Sequence, residues 1–186
     1  MATLILRPDS IVSSTGLNVS GSTLLGKIND NAAATTAIQN NVTANLTCTF
    51  ANDSAYTGGT INTLQVSVTG GSTGRGTPSA SAILYNAAEG VLSETSMTFG
   101  GGTTTQDGDE ASENADGGSL TPAITDGMFL VFTPNTTGMF IAEIFVTVDY
   151  DEASGFGHKV NSLASANVGK VNTVATANIG KINTVD

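Results

Sequence analysis

Tryptophan is absent from this chain, and cysteine and histidine occur once each, at Cys48 and His158. A lone cysteine excludes an intrachain disulfide. A catalytic thiol needs a base beside it, and the one histidine stands in a repeat far along the chain. Cys48, inside Leu46-Thr-Cys-Thr-Phe50, therefore reads as a small buried hydrophobe. Without tryptophan, the aromatic groups offered to a sugar ring reduce to Tyr56, Tyr85 and Tyr150. Charge is scarce too, at 12% of residues, and basic charge scarcest: 6 Lys+Arg against 16 Asp+Glu, net −10. That balance argues against nucleic acid and against anionic membrane surfaces, which both attract basic patches. No apolar run approaches the roughly 18 residues of a membrane span. The N-terminus lacks the basic segment and long apolar core of a secretory signal.

What the chain has instead is 22 glycines, abundant Ser and Thr, and short runs of alternating apolar residues. This is the composition of a β-sandwich with glycine-rich turns. Strands are expected at 3–7, 17–20, 23–25, 46–50, 61–69, 80–85, 91–99, 128–132 and 139–150. The run 128–132 is continuously apolar and reads as a core strand, and residues 133–138 carry the turn chemistry of a hairpin. Residues 27–45 read as a loop with one helical turn near 32–38, residues 70–78 as a hairpin loop, and 100–119 as the longest structureless stretch. No helix is long enough for a βαβ crossover, so the expected fold is all-β, an antiparallel two-sheet sandwich or jelly roll over residues 1–150, with a polar linker at 151–154.

No reaction is spelled out. The best ligand candidate is the acidic stretch 107–117, with Asp107, Asp109, Glu110, Glu113 and Asp116, since calcium wants several oxygen ligands on a flexible loop. The stretch departs from an EF-hand loop, because Ala111 and Ser112 occupy positions where Asp or Asn and Gly belong. It reads as a solvated acidic loop, and no metal or other cofactor is expected. Arg75 among the glycines of 70–76 lacks the Gly-Lys-Ser/Thr ending of a phosphate loop. Hydrolysis of a glycoside needs paired carboxylates. Only Glu143 and Asp149 lie in a strand, and they read as facing opposite sides of it.

The C-terminus repeats itself. Lys-Val-Asn-Ser-Leu, Lys-Val-Asn-Thr-Val and Lys-Ile-Asn-Thr-Val recur with a period of 11 across residues 155–186. Eleven residues make almost three helical turns, about 3.67 residues each. The period thus lines up Val160, Leu163, Val168, Val171, Val174, Ile179, Ile182 and Val185 as an apolar stripe beside the lysines. Gly, Asn, Thr and Val are poor helix formers, so the segment is expected to be helical, or extended, on a partner. Its role is docking or oligomerisation, because so short a repeat cannot bury its own apolar face.

Two stretches carry a resemblance. Leu4-Ile-Leu-Arg-Pro-Asp9, with Ser14-Thr-Gly16 and Lys27-Ile-Asn-Asp30, resembles the start of β-sandwich virion proteins of tailed bacteriophages, of the decoration or fibre type. Where that pattern has Trp after Thr-Gly, Leu17 stands here. The unit Ala-Asn-Val/Ile-Gly-Lys-Val/Ile-Asn resembles repeats in structural proteins of aquatic phages. The resemblance implies a non-enzymatic component of the virion surface, made in the host cytoplasm. By analogy it would be a homo-oligomer, a trimer, contacting itself and other virion proteins. The alternative is a receptor- or glycan-binding module using Tyr56 or Tyr85.

Overall fold

The computed structural model describes residues 2–18, 24–29, 31, 38–51, 59–74, 76–152, 170–171 and 174–175. Nine strands of the body form one continuous antiparallel ladder that folds over on itself into two layers. They are β1 (Ala2–Leu6), β2 (Ser10–Asn18), β3 (Ile38–Phe50), β4 (Gly59–Ser72), β5 (Ser79–Tyr85), β6 (Val91–Thr98), β7 (Thr104–Asp107), β8 (Met128–Pro134) and β9 (Met139–Glu152). The fold-over lies in β3. Its Leu46–Phe50 half pairs with β8, while Ile38 and Gln39 pair with Ile141 and Phe140 of β9. One layer is therefore β6-β5-β8-β3-β2 and the other β7-β4-β9-β1, an antiparallel sandwich of the jelly-roll class.

Strand alternation builds the core. Leu46, Cys48 and Phe50 from β3, Leu130 and Phe132 from β8, and Val146 and Val148 from β9 point inward and are buried. Leu6 of β1 lies opposite Val146 and closes the same layer. A bulge at β4–β9 sets Thr69 against Glu143 and Gly70 against Ile141, so Ala142 is the extra residue. That bulge resets the alternation, which lets Ile141 and Ile144, three residues apart, both face the core.

Several expectations need correcting. Residues 23–25 do not form a strand where they are described: α1 (Leu24–Ile28) is a short helix. Ile28 is fully buried and Leu24 packs on the core, the i, i+4 spacing of one helical face. The expected loop 27–45 is strand from Ile38 onward, because β3 must run long to serve both layers; residues 32–37 lie outside the described residues. β2 begins at Ser10, seven residues before the expected strand. The stretch 100–119 holds β7, whose Thr104–Asp107 pairs with the edge of β4 through backbone groups, without an apolar alternation to announce it. Neither expected hairpin at 70–78 or 133–138 is one. β4 and β9 belong to one layer and β5 and β8 to the other, so both connections cross between layers. They run side by side: Thr73 N donates to Gly138 O at 2.8 Å, and Gly138 takes the left-handed φ of 82° that glycine tolerates. A short helix, α2 (Pro122–Thr125), with proline in its first turn, leads into β8. β9 continues through Asp151 and Glu152, which pair with Thr60 and Gly59, so the strand outlasts Tyr150.

In the repeats, β10 (Lys170–Val171) pairs antiparallel with β11 (Val174–Ala175), Val171 opposite Val174. These four residues are extended, not helical. Valine, branched at Cβ, favours that state. Val160, Leu163, Val168, Ile179, Ile182 and Val185 lie outside the described residues, as does His158. Among the described residues no helix is long and apolar enough to cross a membrane.

Candidate functional site: the outward face of the β6-β5-β8-β3 layer

The run 128–132, apolar without a break, is not buried on both sides. Met128, Leu130 and Phe132 point into the core, whereas Phe129 and Val131 point outward and are half-buried. β5 alternates the same way, burying Ala80, Ala82 and Leu84 and turning Ser81, Ile83 and Tyr85 outward. Pairing then fixes three rows across the outward face. The first is Val91, Tyr85, Phe129 and Thr49. The second is Glu94, Ile83, Val131 and Thr47. The third, Ser96, Ser81 and Thr133, carries only hydroxyls.

Tyr85 and Phe129 stack with ring centroids 4.9 Å apart and an interplanar angle of 9°. That distance equals the spacing of adjacent strands, about 4.8 Å. The rings therefore stand on edge, face to face, as a ridge on the sheet. Val91, 43% exposed, borders the ridge on β6. Thr49 borders it on β3, its Oγ1 donating to Asp9 Oδ1 at 2.7 Å. The band is thus apolar in two rows, edged by hydroxyls along one side and by the carboxylates of Glu94 and Asp9. Glu94 is exposed and pairs with no side chain among the described residues. Sequence reasoning offered Tyr85 but missed Phe129, Ile83, Val131 and Glu94. A period-2 reading of 128–132 would have found Phe129 and Val131. Tyr150 is not available as a platform, since it faces the core at 8% exposure. Tyr56 lies outside the described residues.

The acidic stretch closes an edge of the sandwich. Leu64 N donates to Ala111 O at 2.9 Å and Ala111 N to Leu64 O at 2.8 Å. Gly108 N donates to Val66 O at 2.8 Å, and Ser93 Oγ of β6 donates to Asp109 O at 2.9 Å. Residues 108–111 thereby tie β4 of one layer to β6 of the other. A Cβ on Gly108 would stand 2.8 Å from both Thr95 Cγ2 and Val66 Cγ1, which explains the glycine. The side chains of Asp107, Asp109, Glu110, Glu113 and Asp116 are exposed. Asp107 accepts from Ser67 Oγ at 2.7 Å, and Asp116 accepts from Asn114 Nδ2 and Gly118 N, each at 3.0 Å. Among the described residues no three His, Cys, Asp or Glu side chains converge as metal ligands.

Glu143 and Asp149 share the outward face of β9, six residues apart with no bulge between them, not opposite faces. At the rise of a strand they are about 20 Å apart, beyond the roughly 5–9.5 Å of a glycosidase pair. Both are held by β1 or the residue after it. Arg7 Nη1 donates to Glu143 Oε1 at 2.9 Å, and Thr3 Oγ1 to Asp149 Oδ1 at 2.6 Å. Arg7 also lies over the Phe145 ring at 5.7 Å and donates to Asn31 Oδ1. Cys48 is fully buried, and desolvation, then the charge of Asp9, pushes its thiol up to about 12, so it stays protonated and unreactive. An open cleft of about 260 Å³ lies between the two crossovers, lined by Ser72, Thr73, Thr77, Pro78, Thr136 and Thr137 among others. Its hydroxyls serve the loops themselves, as where Ser72 Oγ donates to Gly74 O and Thr136 Oγ1 accepts from Ser79 N. Arg75 lies outside the described residues.

No family model matches the chain, and no curated protein matches it. Solved structures do. The C-terminal family 6 carbohydrate-binding module of a marine laminarinase from Zobellia galactanivorans is 16% identical, with a TM-score of 0.45, over 79% of this chain and 98% of that one. A family 35 carbohydrate-binding module from Clostridium thermocellum is 5% identical, with a TM-score of 0.46, over 81% and 100%. The enzymatically active domain of tailspike protein 4 of bacteriophage CBA120 is 12% identical, with a TM-score of 0.36, over 80% of this chain and 19% of that one. These are distant likenesses, and they carry nothing about the ligand of this chain.

Proposed function

We propose that this chain is a non-catalytic carbohydrate-binding module that holds a glycan on the outward face of β6-β5-β8-β3. One observation carries the reading: Tyr85, Phe129, Ile83, Val131 and Val91 occupy adjoining positions on a face that the core does not need. An antiparallel sheet with one solvated face places polar residues there, and a contiguous outward apolar band marks an interaction surface. A sugar presents apolar C–H faces and a rim of hydroxyls. The aromatic ridge suits the first, and the Ser96-Ser81-Thr133 row and Glu94 suit the second.

The test is retention on immobilised polysaccharides and a glycan array, with Tyr85→Ser and Phe129→Ser as variants. Loss of retention by both, with melting temperatures near that of the parent, supports the reading. Unchanged retention in either overturns it.

A second reading, a structural protein of a phage virion that assembles through its C-terminal repeats, is favoured by the charge layout. Residues 1–152 hold 15 acidic and 3 basic residues, whereas 153–186 hold 1 acidic and 3 basic. Opposite signs on body and tail suit contact between copies or with a particle. Deleting residues 153–186 tests it. Loss of self-association or particle binding is expected, and an unchanged solution size with unchanged particle binding overturns it.

A further inference from the structure

We infer that the glycan held on this face is uncharged, and that Glu94 is the residue that selects it. The inference rests on the carbohydrate-binding reading and adds the ligand's charge class. The observations are electrostatic and geometric. Among the described side chains, every charged one on or bordering the rows is acidic: Glu94 within the second row, Asp9 beyond Thr49, and Glu89 in the turn that joins Tyr85 to Val91. Arg7 is engaged on the other layer, with Glu143 and Phe145. The body behind the face carries 15 acidic against 3 basic residues, so its wider field has the same sign. A sulfated or uronic-acid polymer approaching the ridge meets like charge and, among the described side chains, no cation to pair with, and like charges brought together at a contact reject a partner.

A neutral sugar meets a different surface. The Glu94 carboxylate offers two oxygens to the hydroxyl groups of a sugar seated against Ile83 and Tyr85, and hydrogen bonds to an ionised acceptor are the stronger kind. Ser81, Ser96 and Thr133, each one residue pair further along the same face, extend the hydroxyl contacts. From β6 to β3 the rows cross three strand spacings, about 14 Å, which is room for a short oligosaccharide rather than a single ring. One residue thus has two effects: it accepts from a neutral ligand and repels an anionic one.

The experiment is affinity electrophoresis of the full chain in gels containing a neutral β-glucan, agarose, alginate or carrageenan. It compares the parent, Glu94→Gln, Glu94→Lys and Tyr85→Ser, with a melting curve for each. The expected result is retention by a neutral polymer and none by alginate or carrageenan at low salt. Glu94→Gln should then bind the neutral polymer roughly tenfold more weakly, the scale of a hydrogen bond to a charged group. Glu94→Lys should gain retention by carrageenan, and neither change should move the melting curve, since Glu94 is exposed. If alginate or carrageenan retains the parent, and Tyr85→Ser abolishes that retention, the face binds glycan but the charge selection proposed here is wrong. It is equally wrong if a neutral polymer retains Glu94→Gln as well as it retains the parent. If no polymer retains the parent, or Tyr85→Ser leaves retention unchanged, the carbohydrate-binding reading falls and this inference falls with it.

Discussion

The two outward faces of the sandwich arise from the same strand alternation but use their side chains in opposite ways. On the β7-β4-β9-β1 layer, several outward polar groups engage one another, beside the exposed Ile5 of β1. Arg7 joins Glu143, Ser67 joins Asp107, and Thr69 lies 2.9 Å from Thr105. Ser67, Thr69 and Glu143 are buried at 2%, 4% and 7% exposure, although they face away from the core. On the β6-β5-β8-β3 layer, the outward Ile83, Tyr85, Phe129 and Val131 remain partly open and Glu94 has no described partner. Outward polar groups that pair with one another hold the fold together, because a buried polar group without a partner is costly. An apolar face left to water contributes less to stability and is free to meet a ligand. Mutations on the two faces should therefore separate stability from binding.

The largest expected loss is at Glu143. Glu143→Ala leaves Arg7 Nη1 without its carboxylate partner; the Arg7 side chain is 27% exposed and Glu143 9%. The cost should be about 2–3 kcal/mol, toward the lower end for a broken buried pair because Arg7 keeps some contact with water. Urea unfolding checks it, and a change below 1 kcal/mol on that scale would place the pair among surface bridges. Glycan retention should survive at temperatures where the variant is folded.

Gly108→Ala comes next. The added methyl must displace Thr95 or Val66 and loosen the strip that joins the layers, at about 1–3 kcal/mol. The acidic side chains of that strip should matter less than its backbone. Replacing Asp109 and Glu110 together by Asn and Gln should leave the unfolding midpoint nearly unchanged, and a large drop would show that their charges, rather than the main chain, hold the edge.

On the open face the order reverses. Tyr85→Ser or Phe129→Ser removes half of the stacked pair, whose stacking is worth about 0.5–1.5 kcal/mol beyond its area, yet each should abolish retention on a neutral polysaccharide. If either unfolds the protein instead, the ridge belongs to the fold rather than to a ligand.

The smallest effect is expected at Cys48, which reports on both faces from the core between them. In the native state it should react with a disulfide reagent only through unfolding. Reaction should quicken in Glu143→Ala and stay near the parent rate in Glu94→Gln. Its raised pKa gives the sign of the pH dependence. The stabilisation is fully present below the ordinary thiol value of 9.0 and is lost as pH rises toward about 12, so Cys48→Ala should flatten that alkaline decline.

The class of fold was legible in the order of residues alone. Alternating apolar residues at 61–69 and 80–85, the long run from 139, and the absence of any long helical pattern were enough to require a sandwich, because period-2 burial is a local property of the chain. Cys48, flanked by threonines in an alternating run, was legible as a buried core residue in the same way. Tertiary structure decided the rest, because the rest depends on which strands become neighbours. β7 is a strand only because the free edge of β4 lies beside it. The turn residues at 133–138 join two layers rather than a hairpin because β8 and β9 each pair elsewhere, meeting different halves of β3. Glu143 and Arg7, 136 residues apart, meet only once β1 is laid along β9. The same holds for the candidate site. The apolar run at 128–132 reads as a core strand, and nothing local says which alternate residues will face away from the core. That was settled when β8 took its place between β5 and β3, turning Phe129 toward Tyr85 and leaving the outer side of the pair open.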